Sequence, residues 1–273
     1  MPELPEVEVV RLGLAPYVTQ RVVHQTIVRE TRLRWPVTDG LPRILDGRRI
    51  NRLVRRGKYL LVEFDHGVLL VHLGMSGNLC FVPDDAPVQR HDHIDLVFEH
   101  GVLRYNDPRR FGAMLWHDAG SGPVAAHRLL ARLGVEPLGD DFDGALLHRA
   151  TRGRQIGIKQ FLLQGMAVVG VGNIYASESL FRAGIRPTTR AARLSRTRCD
   201  RLAGAIKSTL SDAIGQGGTT LRDFAGPVGT GGYFQLACLV YGREGEACRC
   251  CGTPIRRAVI QQRATYWCPV CQS

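Results

Sequence analysis

No apolar run in the 273-residue sequence reaches the roughly 18 residues that a membrane-spanning helix needs, so no span is expected. The start lacks a charged segment leading into an apolar core. No secretory signal is read there, and a cytoplasmic location is expected. Lysine is scarce: Lys58, Lys159 and Lys207 are the only lysines among 36 basic residues, so each can be tested singly. Acidic residues are scarce in the second half. Residues 146–273 hold 18 Lys+Arg against 6 Asp+Glu, a net +12, while residues 1–145 hold 18 against 19, a net −1. Such an imbalance points to an anionic partner, nucleic acid first. The bland reading is a basic surface facing solvent.

What is present divides into segments. Met1-Pro2-Glu3-Leu4-Pro5-Glu6 sets a proline and two carboxylates at the very start. An α-amino group titrates near pH ~8, so Pro2 without Met1 would carry a partly neutral, nucleophilic secondary amine. A frayed terminus is the alternative. Val7, Val10, Leu14 and Tyr17 recur at helical spacing, which predicts a helix over 5–17 with Pro5 in its first turn. Residues 20–116 read as all-β, with strands at Lys58–Phe64, Val68–Leu73, His93–Phe98 and Val102–Asn106. Asp65-His66-Gly67 and Glu99-His100-Gly101 read as hairpin turns. The expectation is a two-layer sandwich or partly closed barrel packed on the first helix.

Two loops of this region stand out. His72-Leu73-Gly74-Met75-Ser76-Gly77 presents Met75, and Asp107-Pro108-Arg109-Arg110-Phe111-Gly112 carries two guanidinium groups and an aromatic ring. Met75 and Phe111 are either core residues or wedges for a gap in a base stack. Beyond a linker-like 118–123 the pattern turns helical at 124–133, 143–151, 155–164, 173–183 and 195–215. Between them, Val169-Gly170-Val171-Gly172-Asn173 is a tight turn opening a helix, with backbone N–H groups available to an anion. Residues 216–235 are glycine-rich and read as a lid rather than a linker.

Eight cysteines include Cys248-x2-Cys251, sixteen intervening residues, and Cys268-x2-Cys271. That spacing fits a four-cysteine zinc ribbon with one structural zinc ion. Cys250 is expected to stand outside it. Arg256, Arg257 and Arg263 lie on the spacer.

Together these stretches resemble the bacterial formamidopyrimidine-DNA glycosylase family. The match runs through Pro2 to Glu8, Gly57-Lys58-Tyr59-Leu60, His72 to Gly77, Asp107 to Gly112, Val169 to Tyr175, and the ribbon with Gln262-Arg263-Ala264-Thr265. The resemblance implies an α+β multidomain protein. Its parts would be an N-terminal catalytic β-sandwich with a packed helix over 1–120, a helix-two-turns-helix domain with the lid over 121–235, and a zinc finger over 236–273.

The resemblance also implies an activity. The enzyme would excise oxidised purines such as 8-oxoguanine and formamidopyrimidines, then nick the strand by β,δ-elimination. Pro2 would be the Schiff-base nucleophile and Glu3 the proton donor, with Glu6 in support. Lys58 would grip phosphate and donate a proton in β-elimination. Arg263 would clamp DNA and donate in δ-elimination. Met75, Arg109 and Phe111 would fill the hole left by the flipped nucleotide, with Arg110 beside them. His91, His93, Arg154 and Asn173 would be further DNA contacts. The partner would be duplex DNA carrying oxidised bases, with no membrane and a monomeric protein. Gln164-Gly165-Met166 and Val9-Val10-Arg11 depart from the family pattern. Two other readings remain: an endonuclease VIII-like glycosylase for oxidised pyrimidines, and a non-catalytic zinc-ribbon DNA-binding protein.

Overall fold

A computed structural model describes residues 2–218 and 238–273. The chain divides into two compact units, Met1–Ala131 with Gln216–Tyr233, and Arg132–Gly215 with Phe234–Ser273.

The first unit opens with helix α1 (Leu4–Val18). Val7, Val10, Leu14 and Val18 turn inward at spacings of three and four, the stripe a surface helix buries. Each such side chain contributes roughly 1.5–3 kcal/mol on burial. Tyr17 was expected on this face. It lies at the edge instead, stacked on Phe81 with centroids 4.9 Å apart, and Val18 takes the core position.

The strands build two antiparallel sheets. One holds β1 (Gln25–Val28), β6 (Asp92–Phe98), β7 (Gly101–Asn106) and β5 (Asn78–Val82), in that spatial order. The other holds β2 (Arg52–Arg56), β3 (Tyr59–Phe64), β4 (Gly67–His72) and β8 (Ala113–Asp118). Leu60, Val62, Leu69 and Val71 of one sheet share a core with Ile94, Leu96, Leu103 and Tyr105 of the other. This is the expected sandwich. Asp65-His66 and Glu99-His100 are its two-residue turns, since Phe64 pairs with Gly67 and Phe98 with Gly101. A short helix α2 (Leu41–Leu45), not anticipated, interrupts the β region and buries Leu41 and Leu45. The helix expected at 124–133 is also absent. A single 3-10 turn at Val124–Ala126 is followed by irregular chain, and among its apolar residues Leu130 alone is deeply buried.

The second unit carries α3 (Gly144–Thr151), α4 (Ile158–Leu163), α5 (Asn173–Arg182) and α6 (Arg196–Gly215). Asp143 caps α3 by accepting from Leu146 N–H at 2.7 Å. On α6, Cys199, Leu202, Ala203, Ile206, Leu210 and Ala213 form the buried stripe. Strands β9 (Arg256–Ile260) and β10 (Arg263–Trp267) make a hairpin. Its root packs Cys248, Ile255 and Cys268 against Phe181 of α5 and Val240. Among the described residues no helix is long and apolar enough to cross a membrane. The lid reading of 216–235 falls largely on residues 219–237, which lie outside the described residues, as does Met1.

Candidate active site

In the first unit the terminal residues are packed, not frayed. Pro2 is buried, and Glu3 and Glu6 are 2% and 1% exposed. Glu3 precedes α1 as its N-cap. Its backbone N–H donates to Glu6 Oε2 at 2.8 Å, within a capping box. Both residues lie at the N-terminal end of the helix, Glu3 as its N-cap and Glu6 in its first turn. The structure thus sets Pro2, whose nitrogen would be a secondary amine only without Met1, next to a buried acid at the capped start of the helix. Gly218 closes over this point, since a Cβ there would lie 3.2 Å from Glu6 Oε1.

Lys58 stands in the two-residue turn between β2 and β3, where Arg56 pairs with Tyr59. Gly57 takes φ 58° at the first turn position, the requirement of a type II′ hairpin. Across the next strand pair, Tyr59 faces His72, with ring centroids 4.8 Å apart. His72 Nδ1 accepts from Gly74 N–H at 3.0 Å, which leaves the proton on Nε2. Burial first, then the charges of Lys58 and Arg34, push His72 down to about 4. It is therefore a neutral donor beside two cations. His72, Tyr59, Trp35 and Phe111 wall a cleft of about 170 Å³ with Arg34 at its side. Sequence reading assigned His72 and Arg34 no role, because their neighbours come from separate strands and loops.

The two probing loops lie side by side. Phe111 is 41% exposed, and the Arg109 guanidinium sits 4.7 Å from its ring centroid. Met75 is half-buried. Phe111 is thus outside the core, as a wedge requires. Arg110 adopts φ 56° and pairs with Glu30 at 3.0 Å. Hydrogen bonds from Arg32 first, with the Arg110 charge adding, hold Glu30 down at about 2. His91 is partly exposed, but His93 is 2% exposed and its Nε2 contacts Asp107 O at 2.8 Å. His93 therefore supports the loop from beneath, where a direct nucleic-acid contact was expected.

In the second unit, Gly172 caps α5 and Asn173 is its first helical residue. Asn173 Nδ2 donates to Ala264 O at 3.0 Å and reaches Tyr241 Oη at 3.4 Å, while its Oδ1 is buried without a hydrogen-bond partner. Lys159, also buried, donates to Ala264 O and Thr265 Oγ1 at 3.0 Å. These contacts bring Asn173 and the hairpin carrying Arg263 together. At the hairpin tip Gln261 and Gln262 both take positive φ, 47° and 59°, which non-glycine residues seldom do. Arg263 follows directly and borders a cleft of about 450 Å³. Arg154 is exposed on the loop before α4 and does not join this cluster among the described contacts. Sequence reading missed Glu178. Its buried carboxylate accepts from the N–H groups of Leu239 (2.8 Å), Val240 (3.0 Å) and Tyr241 (2.8 Å), anchoring the chain ahead of the ribbon.

The thiols of Cys248, Cys251, Cys268 and Cys271 all lie within 4.8 Å of one another. Tetrahedral zinc with Zn–S near 2.3 Å needs sulfurs roughly 3.8 Å apart. Cys248 and Cys271 stand at 3.9 Å, and Cys251 and Cys268 at 3.4 Å. The donor set fits one zinc ion with no open position, a structural site. Cys250 is exposed and outside it.

Three family descriptions match the chain: "Formamidopyrimidine-DNA glycosylase N-terminal domain" over residues 1–114, "Formamidopyrimidine-DNA glycosylase H2TH domain" over 133–225, and "Zinc finger found in FPG and IleRS" over 245–273. The formamidopyrimidine-DNA glycosylase of Bordetella pertussis is 60% identical over 273 residues, covering 100% of this chain and 99% of the relative. That of Burkholderia multivorans is 61% identical, with 100% of each covered. Among solved structures, the Thermus thermophilus MutM (Fpg) protein superposes with TM-score 0.89 at 37% identity, covering 99% of this chain and 98% of that one. A Lactococcus lactis Fpg mutant in complex with a Fapy-dG-containing DNA gives 0.92 at 34% identity, with 100% of each covered.

Proposed function

Because the chain belongs to the formamidopyrimidine-DNA glycosylase family, we propose that it excises oxidised purines from duplex DNA and cleaves the resulting abasic site. The observation that carries this reading is the buried Pro2-Glu3 pair at the capped start of α1. The reaction requires that Met1 be removed, freeing the Pro2 amine. That amine attacks the sugar anomeric carbon as the carbon–nitrogen bond to the damaged base breaks. Glu3 supplies the proton that opens the sugar ring, a contribution of the order of 100- to 10,000-fold. A secondary amine yields an iminium ion without losing a further proton. The cation acidifies the neighbouring sugar carbon, whose proton is removed as the 3′ phosphate leaves. A second elimination expels the 5′ phosphate, and hydrolysis of the iminium restores Pro2.

The remaining residues serve binding. Lys58 grips the phosphate beside the lesion and donates a proton in the first elimination. Arg263 and Asn173 hold flanking phosphates, and Arg263 donates in the second. Arg154 and His91 extend the contact, and Arg110 adds to it once released from Glu30. Met75, Arg109 and Phe111 fill the gap in the base stack. Extruding a base costs a few kcal/mol, which stack filling and phosphate contacts offset. The zinc ion keeps the hairpin folded so that Arg263 is presented, and it takes no part in bond making. The protein acts as a monomer in the cytoplasm. The test is a pair of duplexes, one with 8-oxoguanine opposite cytosine and one with thymine glycol. Faster cleavage of the first is expected. Faster cleavage of the second would transfer the protein to the pyrimidine-excising branch.

A further inference from the structure

Asp107 lies at the base of the Arg109/Phe111 loop and is fully buried. A buried carboxylate is costly unless hydrogen bonds satisfy it. Here its Oδ1 accepts from Ser76 Oγ–H at 2.8 Å. Its Oδ2 accepts from Gly112 N–H at 2.9 Å and from Tyr105 O–H at 3.1 Å. Ser76 Oγ in turn accepts from Arg109 N–H at 3.2 Å. One carboxylate thus ties the loop that presents Met75 to both arms of the loop that presents Arg109 and Phe111.

The backbone of Asp107 extends the tie. Its N–H donates to His91 O at 3.1 Å, and its carbonyl accepts from Arg110 N–H at 3.2 Å. Tyr105 cannot reverse its bond. Burial first, then the Asp107 carboxylate, push its phenol well above the ordinary range, so it stays protonated and donates. The loops also interlock sterically. A Cβ on Gly74 would lie 2.4 Å from the Phe111 carbonyl carbon, and one on Gly112 would lie 1.8 Å from Tyr105 Oη.

We propose that Asp107, acting through Ser76, is a positioning residue that holds Met75, Arg109 and Phe111 as one preformed probe for the base stack. This rests on the stack-filling role given above to those three side chains. A preformed probe avoids the entropic cost of ordering separate loop tips at the moment of binding. Asp107 touches no reacting atom. Its effect belongs to the step in which the duplex is opened, and not to Schiff-base chemistry.

The experiment compares duplex and single-stranded substrates with the full-length protein. In a single-stranded abasic oligonucleotide there is no gap to fill and no opposite base. Ser76→Ala and Asp107→Asn each break the tie. Both are expected to lower lesion excision from duplex DNA by about 10-fold or more, the scale on which small misplacements act, and to flatten the preference among opposite bases. Both should leave single-stranded abasic cleavage within about twofold. Ser76→Thr, which keeps the hydroxyl, should recover duplex activity. Equal losses on both substrates, or no loss on the duplex, would overturn the proposal. Arg109→Ala and Phe111→Ala separate it from its premise. If these two leave duplex excision and base preference intact, the stack-filling role itself is wrong. If these two impair the duplex reaction while the Ser76 and Asp107 variants do not, only the positioning role is wrong.

Discussion

The backbone N–H of Glu3 donates to the carboxylate of Glu6 at 2.8 Å, so the residue assigned to proton transfer is held by the residue three positions on. The two acids then have separable duties. Glu6→Ala removes a helix-end acceptor and is expected to cost about 1 kcal/mol of stability, read by denaturant unfolding. Glu3→Gln is expected to reduce lesion excision by about 100-fold or more with a smaller change in stability. A Glu6 variant that lost no stability would contradict the capping role.

Zinc loading checks the ribbon. Cys248→Ser is expected to lose the metal and weaken DNA binding, because structural zinc supplies of the order of 10–16 kcal/mol of folding free energy to such hairpins. Cys250→Ser should retain one zinc ion per chain, since that thiol is exposed and apart from the other four. Metal content by atomic absorption and DNA affinity by titration give the answer. Parental DNA affinity in Cys248→Ser would refute the ribbon's part in binding.

His72 gives a pH signature. In the fold it is pushed from 6.5 down to about 4, so the unfolded chain takes up this proton first as the solution is acidified. The contribution of His72 to stability is therefore complete above about pH 6.5 and is lost progressively as the pH falls toward 4. Imidazole resonances followed by NMR should show His72 neutral at pH 6. On addition of lesion DNA its titration should move upward, because phosphate offsets the Lys58 and Arg34 charges. A titration near 6.5 in the free protein would contradict the geometry.

Phosphate contacts can be counted from salt dependence. Arg263→Ala is expected to flatten the slope of log affinity against log salt by about 0.9, the value for one phosphate contact on duplex DNA. An unchanged slope would remove Arg263 from the backbone contacts.

Much of this was legible in the sequence. Helix α1 announced itself through Pro5 and the spacing of Val7, Val10 and Leu14, and the ribbon through its paired cysteines. The β hairpins followed from alternation and turn residues. Other features depend on distant chain. Residues 124–133 read as a helix, yet Pro123 starts only a 3-10 turn and few side chains there find a core. Tyr17 had helical spacing but an aromatic partner, Phe81, at the edge of the fold. The Glu178 carboxylate meets N–H groups more than 60 residues away. Asp107 looked like a turn former, and only the neighbouring loop shows what its carboxylate holds. Local pattern carries no record of such pairings.

Borohydride trapping on lesion DNA followed by peptide mapping tests the central claim most directly. With Lys58, Lys159 and Lys207 as the only lysines, the map has few alternatives to Pro2. A single adduct on the Pro2 amine is expected. An adduct on any of the lysines, or no adduct from a preparation that cleaves the DNA, would contradict it.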